Sequence, residues 1–160
     1  MSVHVRPATP ADVDAVVAVG HATWPATYTP IAGEEYVRRG LAEWWSPEGT
    51  ARAITAGRVL VSESGGQVTG VAAYSIDGDV VDLWKLYVVP EAQGTGAGAA
   101  LLDAVVTGPG AGAGEIRLAH MAGNDRARAF YERHGFTETH RSADELGGPD
   151  SVWMRLPLRK

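Results

Sequence analysis

The spacing of apolar residues changes twice along this chain, and each change marks a new kind of element. Val3 and Val5 alternate with polar neighbours and predict a short first strand stopped by Pro7. Val13, Val16, Val17 and Val19 then recur at near-helical spacing behind Thr9, a residue suited to cap a helix. Trp24-Pro25-Ala26-Thr27-Tyr28-Thr29-Pro30 carries two prolines and predicts a rigid, aromatic-bearing loop. A second helix is expected over Glu34 to Glu43, ending near Trp44 and Trp45. After Gly57 the pattern turns to strands. Val59 to Glu63 and Val68 to Tyr74 flank Gly65-Gly66 as a hairpin, and Asp77-Gly78-Asp79 turns the chain into Val80 to Val89. Leu101, Leu102, Val105 and Val106 mark a helix closed by Gly108-Pro109-Gly110. Glu115 to Ala119 reads as a strand, and Asn124 to His134 as a helix stopped by Gly135. Phe136 to Arg141 and Ser151 to Leu158 complete the set as two final strands. This order predicts an α+β, or mixed α/β, fold rather than a regular doubly wound sheet.

At 160 residues the chain reads as a single domain, residues 1–160. Hydrophobic and charged fractions of 45% and 21% are those of a globular protein. Fourteen basic against 19 acidic residues give a formal charge of −5, so no basic face for nucleic acid is expected. The absence of cysteine removes disulfides, thiolate metal sites and a cysteine nucleophile. His21, His120 and His140 are scattered without metal-ligand spacing, so no metal is expected either. No apolar run approaches the roughly 20 residues that span a bilayer, and Met1 to Pro7 lacks the apolar core of a signal peptide. The expectation is a cytoplasmic protein without membrane contact.

The most informative stretch runs from Leu86 to Leu102, where a strand ends at Pro90 and a glycine-rich turn opens an alanine/leucine helix. Glycines allow close backbone approach, and a helix N-terminus adds partial positive charge, which together suit a phosphate-bearing ligand. Gly94-Thr95-Gly96-Ala97-Gly98-Ala99 formally matches the dinucleotide fingerprint G-x-G-x-x-A. That fingerprint opens a parallel βαβ unit, whereas here Pro90-Glu91-Ala92 intervenes and hairpins precede it. A plain flexible turn before an alanine-rich helix is a further reading.

Taking Gln93 as its first residue, the same turn reads Q-x-x-G-x-G over Gln93 to Gly98. It resembles the pyrophosphate loop of the GNAT superfamily of acyl-CoA-dependent N-acyltransferases. Asn124 to Phe136 is similar to that family's N-x-x-A-x-x-F-Y-x-x-x-G-F segment at every named position. Leu86-Tyr87-Val88-x-Pro90 matches the strand before the loop. The resemblance implies a mostly antiparallel sheet splayed between its fourth and fifth strands, Val80 to Val89 and Glu115 to Ala119, with helices on both faces. It implies acetyl-CoA as co-substrate. Its pyrophosphate would rest on Gln93, Gly94, Thr95, Gly96, Ala97, Gly98 and Ala99, and its pantetheine arm would pair with Leu86 and Val88 as an added strand. Asn124 would hydrogen-bond that arm, and Ala127 would leave room for it.

The chemistry follows from the bond being made, because an amine must lose a proton before it attacks a thioester carbonyl. An alkylammonium with pKa near 10 is neutral in about one molecule per thousand at pH 7, a barrier of roughly 4 kcal/mol. Asp82 occupies the strand position where some members of the family carry a catalytic acidic side chain, and it is the expected base and acceptor contact. His120, at the end of the strand lining the wedge, is an alternative base, and so is water. The Val88 N–H is expected to polarise the carbonyl, and the resemblance gives Tyr131 as the general acid that protonates the departing sulfur. Trp24 and Tyr28 fall where the family builds its acceptor pocket.

The turn departs from the family pattern in carrying no basic residue, so phosphate affinity falls to backbone donors and to Arg126 or Arg128. The expected function is N-acetyl transfer to a primary amine of a small molecule or peptide, by direct attack in a ternary complex. A non-catalytic acyl-CoA-binding or sensing module is the alternative, and a nicotinamide-dinucleotide protein is a third. The acceptor's identity stays open, as does a homodimer through the last strands.

Overall fold

In a computed structural model, residues 2–158 are described; Met1, Arg159 and Lys160 of the expected 1–160 domain lie outside them. The chain forms β1 (His4–Pro7), α1 (Val13–Ala32), α2 (Glu34–Trp44), α3 (Pro47–Thr55), β2 (Val59–Ser64), β3 (Gln67–Asp77), β4 (Val80–Val88), α4 (Ala97–Thr107), β5 (Glu115–Met121), α5 (Asp125–Arg133), β6 (Thr137–Ser142) and β7 (Ser151–Pro157). The strands make one sheet in the order β1-β2-β3-β4-β5-β7-β6. All neighbours pair antiparallel except β4 and β5. The fold is the expected mixed α/β one, with a mostly antiparallel sheet and helices on both faces.

Two cores lie on the two faces. On one, Val16, Val19, Trp24 and Tyr28 of α1 and Tyr36 and Val37 of α2 pack with Trp45 and Ile54 against Val59, Val61 and Val71. On the other, Leu101, Leu102 and Val105 of α4 pack with Val81, Leu83, Ile116, Leu118, Tyr131, Phe136 and Met154.

The first face corrects the expected loop over Trp24 to Pro30. α1 continues as helix through Pro25 and Pro30. A proline inside a helix removes one hydrogen bond and costs roughly 3 kcal/mol. The helix buries Val16, Val19, Gly20, Thr23, Trp24 and Tyr28 on one stripe, and that burial offsets the loss. Gly20 is needed because a Cβ there would stand 2.2 Å from Cδ2 of Trp45. A third helix, α3, also goes beyond the expectation; Ser46 caps it by accepting from the Gly49 N–H at 3.1 Å, and Pro47 fills its first turn.

The wedge has a local cause in β4. β5 pairs with it only at Val80, Val81 and Asp82, opposite Glu115, Ile116 and Arg117. Immediately afterwards the β3–β4 register steps from Tyr74↔Leu83 to Ala73↔Lys85, leaving Trp84 as an extra residue. Such a bulge bends its strand and sharpens the twist, which takes β4 away from β5. It also inverts the alternation, so that Val81 and Leu83 before it and Leu86 and Val88 after it all face the α4 side.

Candidate active site

A cleft of about 590 Å³ occupies the wedge and is lined from both faces of the sheet. Of the expected site residues it touches Tyr28, Leu86, Val88, Gln93, Gly94, Gly96, Ala97, Gly98, Ala99, Asn124, Ala127 and Tyr131.

The glycine turn forms its first wall. Gly94 and Gly96 have φ of 83° and 89°, a region where only glycine is unstrained. The first hydrogen bond of α4 runs from the Ala100 N–H to Gly96 O at 2.9 Å. The N–H groups of Ala97, Gly98 and Ala99 are therefore left at a positive helix end, free for an anion. Thr95 does not line the cleft; its hydroxyl donates to Ala92 O at 2.5 Å and braces the turn.

The free edge of β4 forms the second wall. The Val89 N–H donates to Thr69 O at 2.9 Å, which makes Gly70↔Val88 a non-hydrogen-bonded pair. In such a pair the backbone groups point outward, so those of Leu86 and Val88 face the side that β5 has left. One is already taken, since Gln93 Nε2 donates to Val88 O at 3.2 Å and ties the turn to the strand.

α5 supplies the third wall. Asn124 caps it by accepting from the Ala127 N–H at 3.3 Å, which leaves its amide NH₂ for other partners. Tyr131 is buried, and burial first, then the neighbouring Tyr87, pushes its hydroxyl well above the ordinary value of 10.0. It is a phenol, not a phenolate, at neutral pH. His120 lies beside it, the two rings stacked with centroids 6.5 Å apart. Its Nδ1 is 3.2 Å from Met121 O, which fixes the proton on Nδ1, and its buried Nε2 has no partner. Burial is the largest influence lowering its pKa, so the ring is a neutral base at pH 7.

Two expected acceptor residues lie off the cleft. Trp24 is 5% exposed and packs among Tyr28, Tyr36 and Trp44 in the first core. Asp82 is buried, and both its oxygens accept from Arg117, at 2.7 Å from Nε and 3.2 Å from Nη2. One guanidinium thus engages both carboxylate oxygens, which leaves Asp82 poorly placed to meet an amine in the cleft.

The cleft also contains residues that the sequence reading left out. Thr23 and Thr27 reach it from α1, and Trp84 from the bulge. Arg133 lines it as well, beside the expected Arg126, while Arg128 is engaged by Glu138 at 2.8 Å. Positions 126 and 133 are two helical turns apart and share a face, a spacing that was readable in the sequence. Among the described residues no three histidine, aspartate or glutamate side chains gather as metal ligands. No described helix is long and apolar enough to cross a membrane.

Comparison with known proteins accords with this geometry. An uncharacterised N-acetyltransferase of Mycobacterium tuberculosis is 34% identical over 130 residues, 78% of this chain and 83% of that protein. The PaiA N-acetyltransferase of Thermoplasma acidophilum, solved in complex with coenzyme A, superposes with a TM-score of 0.85 at 24% identity, covering 98% of this chain and 99% of its own. A GCN5-related N-acetyltransferase of Rhodopseudomonas palustris also gives 0.85, at 21% identity, over 99% and 97% of the two chains. The sequence profile of the acetyltransferase (GNAT) family matches residues 19–136, a span that contains the wedge, the glycine turn and α5. The chain is a member of that family and an acetyltransferase.

Proposed function

We propose that the protein transfers an acetyl group from acetyl-CoA to a primary amine by direct attack, with both substrates bound. The observation that carries this reading is the single cleft that joins free helix-end amides, an unpaired strand edge and the Tyr131–His120 pair. The residues present fit an acyl-CoA. The Ala97, Gly98 and Ala99 N–H groups would receive the diphosphate, aided by Arg126 and Arg133, and Leu86 and the Val88 N–H would receive the amide-bearing arm.

Bound acetyl-CoA supplies a thioester whose carbonyl carbon an amine can attack. The Val88 N–H then stabilises the charge that grows on the carbonyl oxygen. As the C–N bond forms, the amine's proton leaves through water to Nε2 of His120, which takes the base role in place of the arginine-bound Asp82. As the C–S bond breaks, the Tyr131 hydroxyl gives its proton to the sulfur. His120 returns that proton through water to the Tyr131 oxygen, while the proton that made the acceptor an ammonium has gone to solvent, so the chain ends the cycle as it began it.

The test is calorimetric titration with acetyl-CoA followed by thiol release across a panel of primary amines. Saturable binding with amine-dependent thiol release is expected. Binding without acetylation of any amine would instead favour the non-catalytic acyl-CoA-binding module.

A further inference from the structure

The sheet face turned away from α4 and α5 has an opening that the transfer chemistry leaves unexplained. Ala119 sits on β5 two residues past the last pairing with β4, paired with β7 alone, and it is exposed. α1 to α3 cover the β1–β4 side of this face, and Ala119 lies outside the cores beneath them. On one side of Ala119 stands Trp84, 58% exposed, two residues beyond Asp82↔Arg117 on the diverging strand. On the other side stands Trp153, its direct cross-strand partner.

Each indole is tied outward, away from Ala119. Trp84 Nε1 donates to Ser75 Oγ on β3 at 2.7 Å, and Trp153 Nε1 donates to Ser142 Oγ on β6 at 2.9 Å. Trp153 is further fixed by stacking on His140, 5.8 Å between centroids. Two anchored aromatic walls thus flank a methyl-sized floor. Strands lie about 5 Å apart, so the walls stand roughly 10 Å apart, or more where β4 has splayed. A flat ring needs about 3.5–4 Å to each neighbour, so one ring fits between them.

The slot is continuous with the acetyl-transfer cleft, because Trp84 and Ala119 line both. The row of side chains below it carries two ion pairs, with Asp77 also within electrostatic reach of Arg117. Asp82 is held by Arg117, and Glu115 accepts from Arg155 Nη2 at 3.2 Å. Arg117 and Arg155 are themselves cross-strand partners, so these two ion pairs form one neutral layer beneath the slot.

We propose that the acceptor is an arylalkylamine, a single primary amine on a short chain from a flat aromatic ring. The ring lies between Trp84 and Trp153, and the amine points past Ala119 toward the thioester. This rests on the acetyltransferase reading above.

The test compares 2-phenylethylamine with hexylamine and spermidine, in the wild-type protein and in Trp84→Ala, Trp84→Phe and Trp153→Ala. Acetyl-CoA affinity is measured by calorimetry in each. The expected kcat/KM is at least about tenfold higher for the aryl amine, from roughly two aromatic contacts. Trp84→Ala and Trp153→Ala should each erase most of that preference, Trp84→Phe should keep it, and Trp153→Ala should leave the acetyl-CoA Kd unchanged. Equal or better turnover of hexylamine or spermidine would overturn the proposal, as would Trp variants that slow all amines alike. Acetyl-CoA binding with no aryl amine acetylated would also overturn it. Failure to bind acetyl-CoA at all would instead refute the acetyltransferase reading beneath it.

Discussion

Replacing Gly96 by alanine separates the binding role of the glycine turn from its folding role. Gly96 sits at φ 89°, ψ 4°, and a Cβ there would meet no atom within 4 Å. The substitution therefore costs only the left-handed backbone of an L-residue, about 1–2 kcal/mol. Gly66, in the β2–β3 turn, supplies the control. Its φ is 80° and its Cβ would also meet nothing, but it lies off the cleft. Urea unfolding should show similar losses of about 1–2 kcal/mol for Gly96→Ala and Gly66→Ala. Binding should tell them apart. Alanine at 96 either fills open space at the cleft or relaxes φ and turns the Ala97–Ala99 N–H groups away. Loss of one charge-assisted hydrogen bond is worth roughly 1.5 kcal/mol or more, so the acetyl-CoA Kd should rise at least about tenfold. In a melting assay at 100 times the wild-type Kd, ligand should stabilise Gly66→Ala by about 2.7 kcal/mol but Gly96→Ala by only about 1.4. Equal ligand stabilisation of the two variants would refute the diphosphate role of this turn.

Tyr131→Phe should lower kcat by roughly 10²–10⁴ while changing the acetyl-CoA Kd little, as separate calorimetry and steady-state assays would show; an unchanged kcat ends its role as acid. The wild-type kcat/KM should fall as pH drops below the ordinary histidine value of 6.5, through the lowered pKa of His120, and His120→Gln should lose that limb. Stability should fall over the same range, because the unfolded chain takes up a proton there that the buried ring refuses. Gly40→Ala should destabilise in urea titrations, since its Cβ would stand 2.1 Å from Trp24 Cζ3. Overpacking of roughly 1–3 kcal/mol should outweigh the roughly 1 kcal/mol that alanine gains in a helix.

The strands, the glycine turn and α5 were legible because their signals are local: alternation, Asp77-Gly78, the positive-φ glycines, and Asn124 as a cap. The stretch from Trp24 to Pro30 was not, because tertiary packing overrules its local signal. Two prolines argue for a loop, while the helix persists through burial of Trp24 and Tyr28 against strands distant in sequence. Reading a loop there hid Thr27, which shares a helix face with Thr23 one turn earlier, and both reach the cleft. α3 was readable from Ser46-Pro47 but was overshadowed by the paired tryptophans before it. Asp82 shows a different limit. Its strand position was evident, but its engagement by Arg117 depends on a parallel pairing across 35 residues that no local pattern reveals. The Trp84 bulge belongs to the same class, since an extra residue shows only once its partner strand is in register.

Acetyl-CoA must enter the wedge between β4 and β5 for the proposed transfer to occur, and amide chemical-shift mapping reads that entry residue by residue. On titration with acetyl-CoA, the largest shifts are predicted at Leu86, Val88, Gly96 to Ala99 and Asn124, with Gly66 and its hairpin unmoved. Shifts centred elsewhere, or saturation without movement of the Val88 and Ala97–Ala99 amides, would contradict it.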